Sequence, residues 1–339
     1  MERPYTPLRI ERGTGIVVLD QTCLPHEERY LEMRTVEAVG EAIRELRVRG
    51  APLLGLCGAA GLAVAAEDRG VSDEALRTAM DELDATRPTA VDLGAALRRA
   101  LTLALDAPEE QRRDLLWDHA ETVARERLDE DERLAETGAP LIQPRWSVLT
   151  HCNTGALATG GRGTALAVIA RAWEQGRIER CYATETRPLL QGARLTTWEL
   201  QKLGIPATLL PDAAAASLIA SRHVQAVITG ADRIAANGDT ANKVGTYGLA
   251  LAAARHGIPF YIAAPMTTVD RACRGGDGIP IEFRRESEVG GFGETRWAPA
   301  GVDAYNPAFD VTPATLITGI ITERGIAEHP YETGIAALG

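Results

Sequence analysis

Cysteine is sparse and unpaired in this 339-residue chain: Cys23, Cys57, Cys152, Cys181 and Cys273 form an odd set of five with no Cys-x-x-Cys spacing. That argues against a disulfide framework and for reduced thiols in a cytoplasmic protein. Histidine is equally scattered, at His26, His119, His151, His223, His256 and His329, so no metal site is expected. No apolar run reaches the roughly 20 residues of a membrane helix, and Met1-Glu2-Arg3 leads into no signal-like stretch. No membrane association is expected. The formal charge of −11 disfavours a broad nucleic-acid surface. Any anionic ligand must then be held by a local cluster of Arg, Lys and backbone amides. A dinucleotide fingerprint is missing too, because Gly161-Arg162-Gly163-Thr164-Ala165-Leu166 lacks its third glycine. A nicotinamide cofactor is not expected. There is no internal repeat and no low-complexity segment.

What is present is an ordinary globular composition, with 45% apolar and 24% charged residues over a length suited to two domains. Leu8-Arg9-Ile10 and Gly15 to Asp20 read as short strands around the turn Arg12-Gly13-Thr14. From about Thr35 to Leu128 the apolar spacing is helical, as in Val36, Val39, Ile43 and Leu46. The acidic stretch Leu128 to Arg133, followed by Gly138-Ala139-Pro140, is either the boundary between domains 1–138 and 139–339 or an exposed helix end.

Beyond Pro144, short apolar runs alternate with amphipathic segments. Strands are expected at Ser147 to Thr150, Arg180 to Thr184, Ala207 to Leu210, Ala226 to Thr229 and Phe260 to Ala264. Helices are expected at Thr164 to Gln175, Gln191 to Leu203, Ala213 to Ser221 and Asn242 to His256. Such alternation predicts a doubly wound parallel sheet with ligands at the carboxyl ends of its strands.

The polar motifs fall at those ends. Cys152, between His151 and Asn153, follows one strand and precedes a glycine-rich turn whose amides could face an anion. It is read either as a small buried hydrophobe or as a reactive thiol. Asp232, after Ala226-Val227-Ile228-Thr229, is either paired with Arg233 or a general acid whose pKa burial raises. Asn242-Lys243 is expected to open a helix, where a lysine suits a bound phosphate. Gln191 and Arg194 are candidates for sugar hydroxyls, while Glu185 and Arg187 can pair with each other. In Arg49-Gly50-Ala51-Pro52, Gly50 can cap one helix and Pro52 start the next, or Arg49 and the free amides can hold phosphate. Arg87 in Thr86-Arg87-Pro88-Thr89-Ala90-Val91 is either a helix cap or an anion contact.

Taken in order, Arg49-Gly50-Ala51-Pro52, Leu149 to Thr159, Glu185-Thr186-Arg187-Pro188 with Gln191 to Thr196, Gly230 to Asp239 and Asn306 to Pro313 closely resemble the S-methyl-5-thioribose-1-phosphate isomerase family, over nearly the whole chain. That family shares its fold with the α, β and δ subunits of translation initiation factor 2B and with archaeal ribose-1,5-bisphosphate isomerase. The resemblance implies a mainly helical N-terminal domain with a small antiparallel sheet, a Rossmann-like C-terminal domain and a homodimer. It implies an aldose–ketose isomerase of methionine salvage, acting on a sugar phosphate without cofactor or metal. Asp232 would be the proton donor and Cys152 the second catalytic group. Arg49, Gly50, Ala51, Arg87, Gln191, Asn242 and Lys243 would contact substrate. Two positions depart from the family pattern: Thr184, where an acid is expected, and Asp92, where Asn is usual. Fold alone leaves open the same chemistry on 5-deoxyribose 1-phosphate or ribose 1,5-bisphosphate, or a noncatalytic regulatory subunit.

Overall fold

The computed structural model describes residues 4–88 and 90–339. Met1-Glu2-Arg3 and Thr89 lie outside them. Two compact units are present, one formed by the chain up to Asp129 with Ala156–Gly163, the other by Glu130–Gly155 and Thr164–Gly339.

The first unit opens with an antiparallel sheet of β1 (Leu8–Glu11), β2 (Gly15–Leu19) and β3 (Tyr30–Met33). Helices α1 (Val36–Arg44), α2 (Ala51–Asp68), α3 (Asp73–Asp84), α4 (Val91–Leu105) and α5 (Arg112–Gly138) follow. The 18 residues of α2 are apolar on every side, enough by length and composition to cross a membrane, yet 72% of that stretch is buried within the protein. A helix hydrophobic all round belongs in a core. Its fully buried Leu53 and Leu62 each contribute about 2 kcal/mol by leaving water. Gly50 is not the C-cap of α1 but the N-cap of α2, with φ of 98°. Ala158 lies against it too closely to admit a Cβ.

The acidic stretch Leu128 to Arg133 lies inside α5, and the division between the compact units falls within that helix, between Asp129 and Glu130. Within that stretch Glu132 pairs with Arg171, which also pairs with Glu136 one turn on.

The second unit is mixed α/β. In chain order it contains β4 (Trp146–Thr150), the short α6 (Ala156–Thr159, which groups with the first unit), α7 (Ala165–Glu174), β5 (Ile178–Thr184), α8 (Thr197–Lys202), β6 (Ala207–Leu210), α9 (Ala215–Ala220), β7 (Ala226–Thr229), β8 (Arg233–Ala235), β9 (Thr240–Lys243), α10 (Thr246–His256), β10 (Phe260–Ala263), β11 (Val269–Asp270), β12 (Gly291–Phe292), β13 (Thr295–Arg296), β14 (Phe309–Thr312), β15 (Gly319–Thr322), β16 (Gly325–Ala327) and α11 (Tyr331–Ala337).

Seven strands form the main sheet, in the order β16-β15-β10-β7-β4-β5-β6. All neighbours are parallel except the edge pair β15 and β16. Both faces are buried: Val148, Ala226 and Ile228 pack in one apolar cluster with Val168 and Ile169 of α7. Leu149, Val227 and Ile262 pack in another with Ile219 of α9 and Leu249 of α10. Two-sided burial is why these strands read as continuous apolar runs. A smaller sheet, β11-β8-β9-β14, leaves the carboxyl end of β7.

Candidate active site

The sheet changes direction between β4 and β7. From β4 the chain winds outward through β5 to β6, then returns to β7 on the other side and continues through β10 to β15. In open α/β sheets the crevice at such a switch point binds ligands. Cys152 follows β4 by two residues and Asp232 follows β7 by three, so both lie at the carboxyl edge of the two adjacent switch strands.

Cys152 is half-buried and has φ of 63°. A non-glycine residue in the left-handed region costs about 1–3 kcal/mol and must be held by its surroundings. The grip comes from the segment after β5. The Cys152 N–H donates to Thr186 Oγ1 at 2.9 Å, and its carbonyl accepts from Thr196 Oγ1 at 2.6 Å. Thr186 is also left-handed, with φ of 63°, and its N–H and that of Arg187 donate to the Asp212 carboxylate at 2.8 and 2.7 Å.

The flanking side chains point away from the thiol's chemistry. Asn153 Nδ2 donates to Glu199 Oε2 at 2.5 Å, and Glu199 is wholly buried. His151 is buried between Thr184 Oγ1, 2.6 Å from Nδ1, and the Val244 carbonyl, 2.9 Å from Nε2. A carbonyl only accepts, so Nε2 carries the proton and Nδ1 accepts from the Thr184 hydroxyl. Burial pushes the His151 pKa down against the opposing charge of Asp212. His151 is therefore a neutral buried ring, not a cation that activates Cys152.

Other expectations change in detail. Asp232 is exposed rather than buried, and Arg233 turns to Asp270 at 3.6 Å. The amides of Gly161 and Gly163 are taken by Thr159 Oγ1 at 3.1 and 3.0 Å rather than left for an anion. Asn242 and Lys243 end strand β9 instead of opening a helix, because β14 supplies a ladder partner, Asn242 opposite Asp310 and Lys243 opposite Phe309. The anion at the start of α10 is the protein's own. Asp310 accepts from the N–H groups of Gly245 at 2.7 Å and Tyr247 at 3.1 Å. Lys243 Nζ donates to the Ala308 carbonyl at 2.8 Å and lies 4.6 Å from the Phe309 ring centre. Asn242 bonds Thr246 Oγ1 at 3.0 Å.

Gln191 opens a π-helical turn, Gly192–Thr196, where helix was expected. It is 8% exposed, and its Oε1 is buried without a hydrogen-bond partner. A buried side-chain carbonyl calls for a hydrogen-bond donor. Arg187 does not pair with Glu185; it donates to the Val289 carbonyl at 2.7 Å and lies 4.8 Å from the Trp297 ring. Arg194 lies over Phe292. Arg49, Gly50, Ala51 and Arg87 belong to the first unit, Arg49 and Arg87 half-buried. Among the described residues no group of three or more His, Cys, Asp and Glu is placed to hold a metal. Burial pushes the thiols of Cys57 and Cys181 up to about 12, as expected of core cysteines.

Residues 47–329 match the sequence pattern of the Initiation factor 2 subunit family. The chain belongs to that family. Among its relatives, a methylthioribose-1-phosphate isomerase of Anaeromyxobacter sp. (strain K) is 51% identical, with 100% of this chain and 98% of the relative aligned. A 5-deoxyribose 1-phosphate isomerase of Moorella thermoacetica is 48% identical over the same shares. Two solved family structures superpose at full length. The 5-methylthioribose 1-phosphate isomerase of Pyrococcus horikoshii OT3 gives a TM-score of 0.92 at 40% identity, covering 100% of this chain and 99% of that one. The translation initiation factor eIF-2B subunit delta from A. fulgidus gives 0.91 at 41%, covering 98% of both.

Proposed function

We propose that this chain is an aldose–ketose isomerase that converts S-methyl-5-thio-α-D-ribose 1-phosphate to S-methyl-5-thio-D-ribulose 1-phosphate in methionine salvage. Asp232 is the proton donor and Cys152 the second catalytic group. The observation that carries this reading is the placement of the thiol and the carboxylate after the two strands that flank the switch point. The strand order, renumbered along the chain as 3-2-1-4-5-6 for the six parallel strands, supports a Rossmann-like doubly wound domain over residues 139–339. The end of α5 at Gly138 supports a helical domain over 1–138.

Phosphate on the anomeric oxygen prevents spontaneous ring opening. A proton from Asp232 to the ring oxygen breaks its bond to C1. The C2 hydrogen then moves to C1 and the C2 hydroxyl gives up its proton, forming the ketone. In one route Cys152 removes the C2 proton and an enediolate forms; in the other, hydride passes directly and the thiol steadies the developing charge. Both conserve the substrate's atoms, so neither requires a redox cofactor. Exposure of Asp232 means its role rests on position, not on an apolar pocket. Gln191, with its bare Oε1, is assigned to a sugar hydroxyl. Lys243 and Asn242 are assigned to substrate. Arg49, Gly50, Ala51 and Arg87 are assigned to it on resemblance alone.

A cytoplasmic homodimer belongs to the same reading, supported by the exposed apolar side chains Tyr247 and Leu251 on α10. The name of the Moorella relative favours 5-deoxyribose 1-phosphate as a second substrate. The name of the A. fulgidus protein favours a regulatory subunit without turnover. A panel of methylthioribose 1-phosphate, 5-deoxyribose 1-phosphate and ribose 1,5-bisphosphate separates these readings, since turnover of none leaves only the last.

A further inference from the structure

His151 is linked to the thiol-bearing residue by a hydrogen-bond chain whose direction the Val244 carbonyl fixes. Nε2–H donates to Val244, so Nδ1 accepts from Thr184 Oγ1 at 2.6 Å. With its proton committed there, Thr184 Oγ1 accepts from Thr186 Oγ1 at 3.2 Å. The Thr186 oxygen, its own proton given away, accepts the Cys152 N–H at 2.9 Å. In this arrangement each hydroxyl donates once and accepts once, the Thr186 proton going to Thr184 Oγ1 at 3.2 Å rather than to the Thr184 carbonyl at 3.4 Å. The chain ends on a residue whose left-handed backbone needs an external hold, and it passes through a second one.

We infer that Thr184 is a positioning residue for the proposed isomerase reaction: oriented by His151, it sets the Thr186 hydroxyl that holds Cys152 in its left-handed conformation and so fixes the sulfur. The inference rests on the function proposed above. Thr184 does not touch substrate in this account; it acts through Thr186. A residue lacking the hydroxyl at 184 leaves His151 Nδ1 without a donor and lets the Thr186 proton turn elsewhere, most directly to the Thr184 carbonyl at 3.4 Å.

The test compares Thr184→Val, which keeps the shape and removes the hydroxyl, with Thr184→Ser, which restores it. Two readouts are taken: steady-state kinetics with methylthioribose 1-phosphate, and the iodoacetamide alkylation rate of Cys152 mapped by mass spectrometry. The Val variant is expected to lower kcat by about tenfold to a hundredfold, as misplacement of a reacting group does, with KM within about threefold and a changed alkylation rate. The Ser variant is expected to return both to the wild-type values. Should Thr184→Val fold poorly, His151→Gln, which loses the fixed ring acceptor, is expected to give the same split. Wild-type kcat and wild-type alkylation in a folded Thr184→Val would overturn the inference. Absence of turnover in the wild type would overturn the proposed function instead, and the alkylation comparison would still decide the role of Thr184.

Discussion

The backbone N–H of Cys152 donates to Thr186 Oγ1 at 2.9 Å, and both residues sit at φ of 63°, where side chains with a Cβ are disfavoured. Two strained residues in direct contact, at the carboxyl edge of the main sheet, are held by Asp212, Thr184 and Thr196 rather than by their own preferences. The thiol's position is thus imposed by the fold. Replacing Cys152 with Gly is expected to relieve the backbone cost and exceed Cys152→Ala in unfolding free energy by about 1 kcal/mol, while both lose turnover. Chemical denaturation of the two variants side by side checks this. A Gly variant no more stable than the Ala variant would show that the conformation is not strained.

Asp232→Asn keeps the size of the side chain and removes its proton. If Asp232 protonates the ring oxygen, kcat falls by about 10²–10⁴ with KM nearly unchanged, because the interaction is made in the transition state. Full activity in this variant would remove Asp232 from the mechanism.

Asp310 closes the amino end of α10 through the N–H groups of Gly245 and Tyr247. Asp310→Ala is expected to cost about 1–2 kcal/mol of stability by leaving these donors unpaired. Differential scanning calorimetry reads the loss. Because Gly245 follows Val244, whose carbonyl fixes His151, turnover is expected to fall as well.

Stability in acid is expected to depend on Asp20. Burial raises its pKa, but the Thr22 hydroxyl and amide and the Arg47 guanidinium outweigh burial and hold it below the ordinary carboxylate value. A depressed carboxylate contributes stability that is present above its unfolded pKa and lost as pH falls through its folded one. Wild-type Tm should therefore decline on acidification below about pH 4, the unfolded value, and Asp20→Asn should be less stable at pH 7 with a shallower acid decline. Because Arg47 is partly exposed and keeps Glu41 as a partner, the loss is about 1–3 kcal/mol, that of a hydrogen bond to a charged group. An unchanged acid slope in the Asn variant would contradict this.

The sheet was largely legible because its strands bury both faces: Ala226 to Thr229 is buried throughout and lies mid-sheet. Polar segments were harder. Asn242-Lys243 resembles a helix start in sequence; the hairpin partner β8 reaches only Thr240 and Ala241, and the residues that carry β9 through Asn242 and Lys243, Asp310 and Phe309, come far later in the chain, beyond any local window. Leu128 to Arg133 reads in sequence as a boundary or a helix end, and the partner of its Glu132, Arg171, lies outside any local window. At the site, Cys152 and Asp232 stood out as polar residues after apolar strands. His151 and Thr184 did not stand out as a pair, since the ring's partners are 33 and 93 residues away. Buried polar side chains on an otherwise apolar background, such as Glu199, were the available signal.

Incubation of the purified protein with methylthioribose 1-phosphate in D₂O, followed by ¹H and ³¹P NMR, reads the isomerisation itself. Conversion to the ketose 1-phosphate is expected, abolished in Cys152→Ala and reduced in Asp232→Asn. Deuterium at C1 identifies the proton relay, and complete retention of the C2 hydrogen at C1 is the outcome expected of direct hydride transfer. An unchanged aldose spectrum with folded wild-type protein would contradict the account.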